Sequence, residues 1–215
     1  MGTLRARKDG EIQARRNEIL DAAATLFTER DWGTLTLAMI AEKTSISRPS
    51  MYNYYRSVEE VYFDLAAREY AAWGAELPRI FERPMTREEF CASLTESLFS
   101  RPLLLKLMHL YVDIGEEKCG GDLLERYRAS VHAFYKEFFR IIESQFPQSP
   151  ASEQRRFAIQ FTRYTVTLYG LTRIPKTALE AMQGWGTFGT IPDAREICLD
   201  ALMLLSGGLA FSPHK

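Results

Sequence analysis

This chain of 215 residues has few cysteines, no long apolar run and no large excess of one charge. Its three cysteines are Cys91, Cys119 and Cys198, which are odd in number and far apart in the sequence. This argues against a disulfide framework or a zinc knuckle. We therefore interpret them as free thiols that pack as small hydrophobic residues.

No stretch of about 18 apolar residues is present, so the sequence predicts no membrane-spanning helix. The first residues, MGTLRARKDGEIQARR, are polar and basic, and they lack the apolar segment of a secretory signal. We therefore expect a cytoplasmic protein.

Charge is almost balanced, at −1 overall, but it is unevenly distributed. Residues 1–56 carry nine Lys and Arg against seven Asp and Glu, whereas the rest of the chain is slightly acidic. A modestly basic head on an acidic body is typical of a protein that contacts phosphate with one end only.

Alternating β-branched runs are absent, and apolar residues recur every three or four positions, which predicts an all-α fold. We expect about nine helices, the first from about Asp9 to Arg30, with a Gly- and Pro-rich loop over residues 173–192. Ser57, Thr86 and Asp193 each precede a Glu by three residues, which indicates helix starts with capping boxes. The predicted domains are residues 1–56 and residues 57–215.

The most informative stretch is Thr36 to Tyr55, TLAMIAEKTSISRPSMYNYY. It predicts two short helices, Leu37–Lys43 and Arg48–Tyr54, joined by a three-residue turn. Small and apolar residues are placed to hold the helices at a steep angle, as in a helix-turn-helix, whose second helix enters the major groove of DNA. These residues are Ile40, Ala41, Ile46 and Met51.

Side chains that point outward from this motif have the chemistry of DNA contacts. Arg48 can make a bidentate contact with guanine, and Asn53 can pair with adenine or with a phosphate. Thr36 and Ser47 cap the two helices where phosphates can bind. The predicted contact set is Thr36, Ser47, Arg48, Pro49, Ser50, Tyr52, Asn53, Tyr54, Arg56, Arg5 and Arg7, while Tyr55 is predicted to lie in the core.

Residues 19–62 closely resemble the N-terminal domain of the tetracycline-repressor (TetR) family. The resemblance continues over about 45 residues without a gap, whereas residues beyond about 65 resemble the family only in their number of helices. The matching pieces are Ile19-Leu20, Ala22-Ala23, Leu26-Phe27, Thr36, Ile40-Ala41, Ile46-Ser47, Tyr52-Asn53-Tyr54-Tyr55 and Glu59-Glu60.

Two positions depart from the family's usual pattern. Ser45 stands in the turn where the family commonly has Gly, and a positive φ there would cost about 1 kcal/mol. Val58 stands where a Lys commonly contacts phosphate, and Arg56 is expected to replace that contact. The basic arm of Arg5, Arg7 and Lys8 is expected to add contacts to the backbone or the minor groove.

The resemblance implies a ligand-responsive regulator, more often a repressor, that binds a palindromic operator as a homodimer. The predicted eighth and ninth helices, about 152–171 and 193–207, would form the dimer interface. Aromatic residues crowd the body, which favours a bulky apolar or aromatic effector. The predicted effector site consists of Trp73, Phe90, Leu94, His109, Phe134, Phe138, Phe161 and Tyr164.

Two other function classes remain open at this point. The first is a DNA-binding architectural or partner-protein module without an effector, and the second is a helical-bundle enzyme. The chain has no Gly-rich phosphate loop, no nucleophile elbow and no His-Glu helix motif. We therefore predict no catalytic residue, no metal site and no cofactor.

Overall fold

The computed structural model describes residues 2–186 and 193–210, with side chains from Gly10 onward apart from that of Val112. All regular structure in these ranges is helical, as predicted, but ten α-helices are present instead of about nine. None of the described helices has both the length and the apolar character that crossing a membrane requires.

The chain divides into two compact units. Unit 1 comprises the residues up to Tyr70 together with Leu110–Val131, and unit 2 comprises Ala71–His109 and the residues from His132 onward. The domain boundary between Arg56 and Ser57 stays a prediction. The helices are α1 (Gly2–Glu29), α2 (Leu37–Ala41), α3 (Arg48–Met51), α4 (Val58–Ile80), α5 (Arg87–Phe99), α6 (Pro102–Ile114), α7 (Gly121–Gln145), α8 (Ala151–Leu171), α9 (Lys176–Gly184) and α10 (Ala194–Leu205).

Two of the three predicted capping boxes form completely in the structure. Thr86 and Asp193 both form complete capping boxes, with Glu89 and Glu196 as the reciprocal partners. At α4 the Ser57 hydroxyl accepts from the Glu60 N–H at 3.3 Å, as expected. The Glu60 carboxylate, however, accepts the N–H of Arg56 instead of that of Ser57.

Helix α9 lies in the stretch that the sequence predicts as a loop, so that prediction is wrong for residues 176–184. Gly and Pro residues flank this segment and favour a loop, but between them lies a run that consists mostly of strong helix formers, Lys-Thr-Ala-Leu-Glu-Ala-Met-Gln. Pro175 precedes the helix, where a missing N–H costs little.

The core of unit 1 is built around α1 and the first half of α4. Phe27 of α1 and Tyr62 of α4 are buried, and both rings pack against Trp32 in the connection after α1. Arg68 of α4 also pairs with Asp21 of α1 at 2.6 Å. These contacts join α1 to α4, and α1 also packs against α2.

The core of unit 2 joins α5, α8 and α10. Cys91 and Cys198 are buried free thiols, as interpreted from the sequence, and each meets a hydroxyl across the α5–α10 contact. Burial raises the pKa of the Cys91 thiol and raises that of Cys198 to about 11, so both stay protonated at neutral pH.

Candidate nucleic-acid interface

Helices α2 and α3 pack as the sequence predicts for a helix-turn-helix. Ile40, Ala41, Ile46 and Met51 are all buried, and they form the contact between the two helices and their turn. Both helices are shorter than predicted. After each of them the chain continues as a tight turn, in which the N–H groups of Lys43, Thr44, Asn53 and Tyr54 bond to carbonyls three residues back.

The turn between the helices is held by α1 as well as by its own residues. The Thr44 hydroxyl donates to the Ala41 carbonyl at 3.0 Å and accepts from the Ile46 N–H at 3.1 Å. The Glu18 carboxylate of α1 accepts the Ser45 N–H, and Arg15 donates to the Ser45 hydroxyl. The hydrogen bonds that Glu18 accepts from Ser45, and one from Arg15 at 3.0 Å, hold the pKa of Glu18 below its usual value.

Ser45 does not adopt the positive φ that a Gly at this position would suggest. No residue other than Gly has a positive φ in the described part of the chain. The turn therefore carries no left-handed strain, and Ser45 is explained by its two hydrogen bonds to α1.

Thr36 and Ser47 act as the predicted N-caps. The Thr36 hydroxyl accepts from the Met39 N–H, and the Ser47 hydroxyl accepts from the Ser50 N–H, each at 3.3 Å. Both residues remain exposed, as the predicted phosphate contacts require.

The predicted contact residues lie mainly on the exposed side of this motif. Tyr52 is 64% exposed, so its ring and its hydroxyl are accessible to a partner. Ser50 and Tyr54 are half-buried. Side chains of Arg5, Arg7 and Lys8 lie outside the described ones. The exposed members are Thr36, Ser47, Arg48, Pro49, Tyr52, Asn53 and Arg56.

Arg48 forms an ion pair with Glu42, which follows α2. Both side chains are more than half exposed, so this pair contributes little to folding. The carboxylate nevertheless competes with any base or phosphate that the Arg48 guanidinium would bind.

Replacing Glu42 with Gln is expected to tighten DNA binding about two- to fivefold, since it frees Arg48 from an exposed ion pair worth up to ~1 kcal/mol. Fluorescence anisotropy with a labelled duplex measures the change. Glu29→Gln is the matched control, because it removes the same charge from the exposed end of α1. An equal gain in both variants would show that net charge alone is responsible.

Tyr55 is part of the core, as predicted, and does not face solvent. Its hydroxyl donates to Asp64 of α4 at 2.6 Å, and the other Asp64 oxygen lies 3.5 Å from Arg126 of α7. Burial, followed by the Asp64 charge, raises the pKa of Tyr55 far above its usual value, so the phenol remains a donor. The chain that follows α3 is thereby fixed to α4 and α7.

Tyr55→Phe is expected to lower the free energy of unfolding by about 1–3 kcal/mol, since it leaves a buried carboxylate oxygen without its donor. Denaturant-induced unfolding followed by circular dichroism measures the loss. Tyr52→Phe removes an exposed hydroxyl and should leave stability unchanged. Equal stability of the Tyr55→Phe protein and wild type would contradict a structural role for this bond.

The predicted effector residues of unit 2 are largely packed against one another. Trp73 stacks on Phe134 with ring centroids 4.3 Å apart, and Phe138 meets Phe161 at 4.8 Å. The indole N–H of Trp73 donates to Ser97 at 2.8 Å. Phe90 and Leu94 are also fully buried. The structure thus brings these side chains together as a core, and their effector role stays a prediction.

His109 and Tyr164 are half-buried and stand apart from these stacked rings. Nδ1 of His109 lies 3.1 Å from the Val166 carbonyl, and its ring is near Tyr169. The Tyr164 hydroxyl donates to the Ile197 carbonyl at 3.4 Å, which joins α8 to α10.

The apolar residues of α8 and α10 serve mainly their own unit. Phe157, Phe161, Leu168 and Leu202 are buried there. Two apolar side chains remain exposed on these helices, Ile159 at 59% and Leu204 at 81%. Other apolar residues of the two predicted faces, among them Leu171, Ile197 and Leu205, are half-buried, and the dimer interface on these helices stays a prediction.

Two family models match this chain. Residues 67–212 match the model of a tetracyclin repressor-like C-terminal domain, and residues 19–65 match that of bacterial regulatory proteins of the tetR family. A curated relative is the HTH-type transcriptional regulator HbdR of Aromatoleum sp. (strain CIB), which is 28% identical over 71 residues. That alignment covers 33% of this chain and only 31% of the relative.

Two solved structures are similar to this chain. The fatty acid degradation regulator FadR from Bacillus halodurans has a TM-score of 0.59 and 13% identity, with 92% of this chain and 97% of that chain covered. The TetR family repressor AlkX from Dietzia sp. strain DQ12-45-1b, implicated in biodegradation of n-alkanes, has a TM-score of 0.47 and 18% identity, with 88% and 95% covered. At 13% identity, the likeness to FadR shows a shared fold alone.

Proposed function

The chain belongs to the TetR family of bacterial transcriptional regulators, and we propose that it is a repressor that binds a palindromic operator as a homodimer. We further propose that a small, largely apolar effector releases it from DNA. Membership in the family makes the chain a DNA-binding regulator of transcription and not an enzyme.

The observation that carries this proposal is the exposed face of α2 and α3. This face carries hydroxyl, guanidinium, amide and phenol groups, whereas the apolar residues on the inner side of the motif are buried. Such a face offers donors to phosphates at its edges and to base edges at its centre. Arg48 and Tyr52 are the residues that we expect to contribute most.

A twofold dimer follows from the need to occupy two half-sites. A single α3 can contact the major groove at one half-site. Dimers of helix-turn-helix proteins bind two half-sites that lie ~34–36 Å apart along the duplex. Ile159 of α8 and Leu204 of α10 support an interface there, because large exposed apolar side chains are favourable when a partner covers them.

The effector is proposed to bind in unit 2, where Trp73, Phe134, Phe138 and Phe161 supply aromatic surface. Because these rings pack directly on one another, an effector that enters must separate some of them. Such a ligand favours the conformation in which the rings are apart, and it shifts the equilibrium by its difference in affinity for the two conformations. Helix α4 contributes residues to both units and is the proposed lever.

A reporter assay tests this function. The chain is expressed beside a promoter that carries the operator selected by the purified protein, and apolar carboxylates and aromatic compounds are added one by one. The proposal expects lowered transcription that one class of compound restores. A promoter that is activated would refute repression, and repression that no compound relieves would favour the architectural module instead.

A further inference from the structure

A polar pocket of about 500 Å³ lies within unit 1, close to the end of α3. Its volume is in the range of small-molecule sites, about 300–1,000 Å³. It is formed by three parts of the chain that are distant in sequence: α1, the segment from α3 into α4, and the start of α7. The charged residues that line it are Arg16, Arg56, Glu60, Asp122 and Arg126.

The three arginines of the pocket have donors to spare. The Nε atom of Arg16 is buried and has no hydrogen-bond partner. The Arg56 side chain is exposed. Arg126 forms a long salt bridge with Asp64, in which the nitrogen and the oxygen are 3.5 Å apart. A buried donor without a partner costs free energy, which a bound acceptor would recover.

The buried carboxylates near the pocket are already engaged in the fold. Glu60 accepts the N–H groups of Arg56 at 2.7 Å and of Gly120 at 3.3 Å. Asp64 accepts from Tyr55 at 2.6 Å. Glu60 and Asp64 therefore hold donors of the fold in place. Glu60 and Asp122 also carry negative charge into the lining, which the charges of Arg16, Arg56 and Arg126 exceed by one.

Helix α7 adds a further positive element, since its first residues, Gly121, Asp122 and Leu123, line the pocket. Gly120 precedes this 25-residue helix and has no side chain to cap it. A Cβ at Gly120 would lie 2.8 Å from the Glu60 carboxylate, so a larger residue there would displace this carboxylate. The helix dipole favours an anion at such an end, where the Glu60 carboxylate already accepts the Gly120 N–H.

We propose that this pocket binds a small molecule that carries a phosphate group, with Arg16, Arg56 and Arg126 as its ligands together with the first turn of α7. Phosphate oxygens match the planar fork of arginine, and the three guanidinium groups outnumber the two carboxylates of the lining, so the pocket favours an anion. The binding itself does not depend on the function proposed above.

One consequence does rest on the proposed function. Tyr52, Asn53 and Tyr54 line the pocket and also belong to the predicted DNA-contact set. An anion held beside them lowers the positive potential next to the phosphates of the duplex, so the occupied protein should bind its operator more weakly.

Isothermal titration calorimetry of the full chain with inorganic pyrophosphate tests the site directly, in the absence of DNA. Sodium chloride at matched ionic strength is the salt control. Saturable binding is expected for wild type, and Arg16→Gln and Arg126→Gln should each weaken it about tenfold or more. Arg79→Gln, an exposed arginine of α4, is the matched control and should bind as wild type does.

Circular dichroism melting of each variant separates loss of binding from loss of fold, since Arg126→Gln also removes the ion pair to Asp64. Arg16→Gln leaves that pair intact and decides the matter if Arg126→Gln unfolds. Wild type that shows no saturable binding, or an Arg16→Gln protein that binds as wild type does, would overturn the proposal. Arginine variants that lose DNA affinity without any pyrophosphate binding would overturn it too, and would assign these residues to the DNA backbone.

Discussion

Arg48→Ala is expected to weaken operator binding by roughly 10- to 100-fold, since one bidentate contact to a base discriminates by about 1–3 kcal/mol. Arg48 is exposed at the start of α3, and it must give up its ion pair with Glu42 to bind DNA. Binding to unrelated duplexes should fall much less, because phosphate contacts dominate there. Competition titrations with operator and unrelated DNA measure both.

Arg140→Ala provides the control for the loss of one positive charge. Arg140 lies on α7 and pairs with Glu137 of the same helix. Its replacement should leave operator affinity unchanged. If Arg48→Ala lowers affinity for operator and unrelated DNA by the same factor, Arg48 is a phosphate contact and does not distinguish bases.

The double change Ile159→Asp and Leu204→Asp is expected to convert the dimer to a monomer and to weaken operator binding by about 100-fold or more, as when two linked contacts are separated. Both side chains are exposed, so neither replacement opens a cavity in the core of its own unit. In a twofold dimer, the introduced carboxylates of one copy would repel those of the other copy across the interface. Sedimentation velocity gives the oligomeric state, and anisotropy gives the affinity.

Ile174→Asp is the matched control for this pair, since Ile174 is an exposed isoleucine that follows α8. It should remain dimeric and bind the operator as wild type does. A dimeric double variant with full operator affinity would place the interface elsewhere on the chain.

Local features of the fold were the easiest to predict. The caps at Thr36, Ser47, Thr86 and Asp193 depend on residues within three positions of each other, and all four form in the structure. The burial of Tyr55 was also predicted. Helix α9 was missed because its Gly- and Pro-rich surroundings outweighed a short helical run.

Long-range polar contacts could not be predicted in the same way. The Glu18 carboxylate meets the Ser45 N–H across 27 positions, and Gly120 meets Glu60 across 60. Nothing in a charged residue's neighbours reveals which distant backbone group it will bind. The phosphate pocket was missed for this reason, because its three walls come from separate parts of the sequence. Likewise, aromatic composition alone did not distinguish a core of stacked rings from an effector cavity.

Selection of duplexes from a random pool by the purified chain, at two salt concentrations, tests the central claim most directly. The proposed twofold dimer predicts enrichment of an inverted repeat with half-sites about one helical turn apart, and affinity for it that falls steeply with salt. A pool that remains random at both salt concentrations, although the protein is folded and dimeric, would contradict sequence-specific binding through α3.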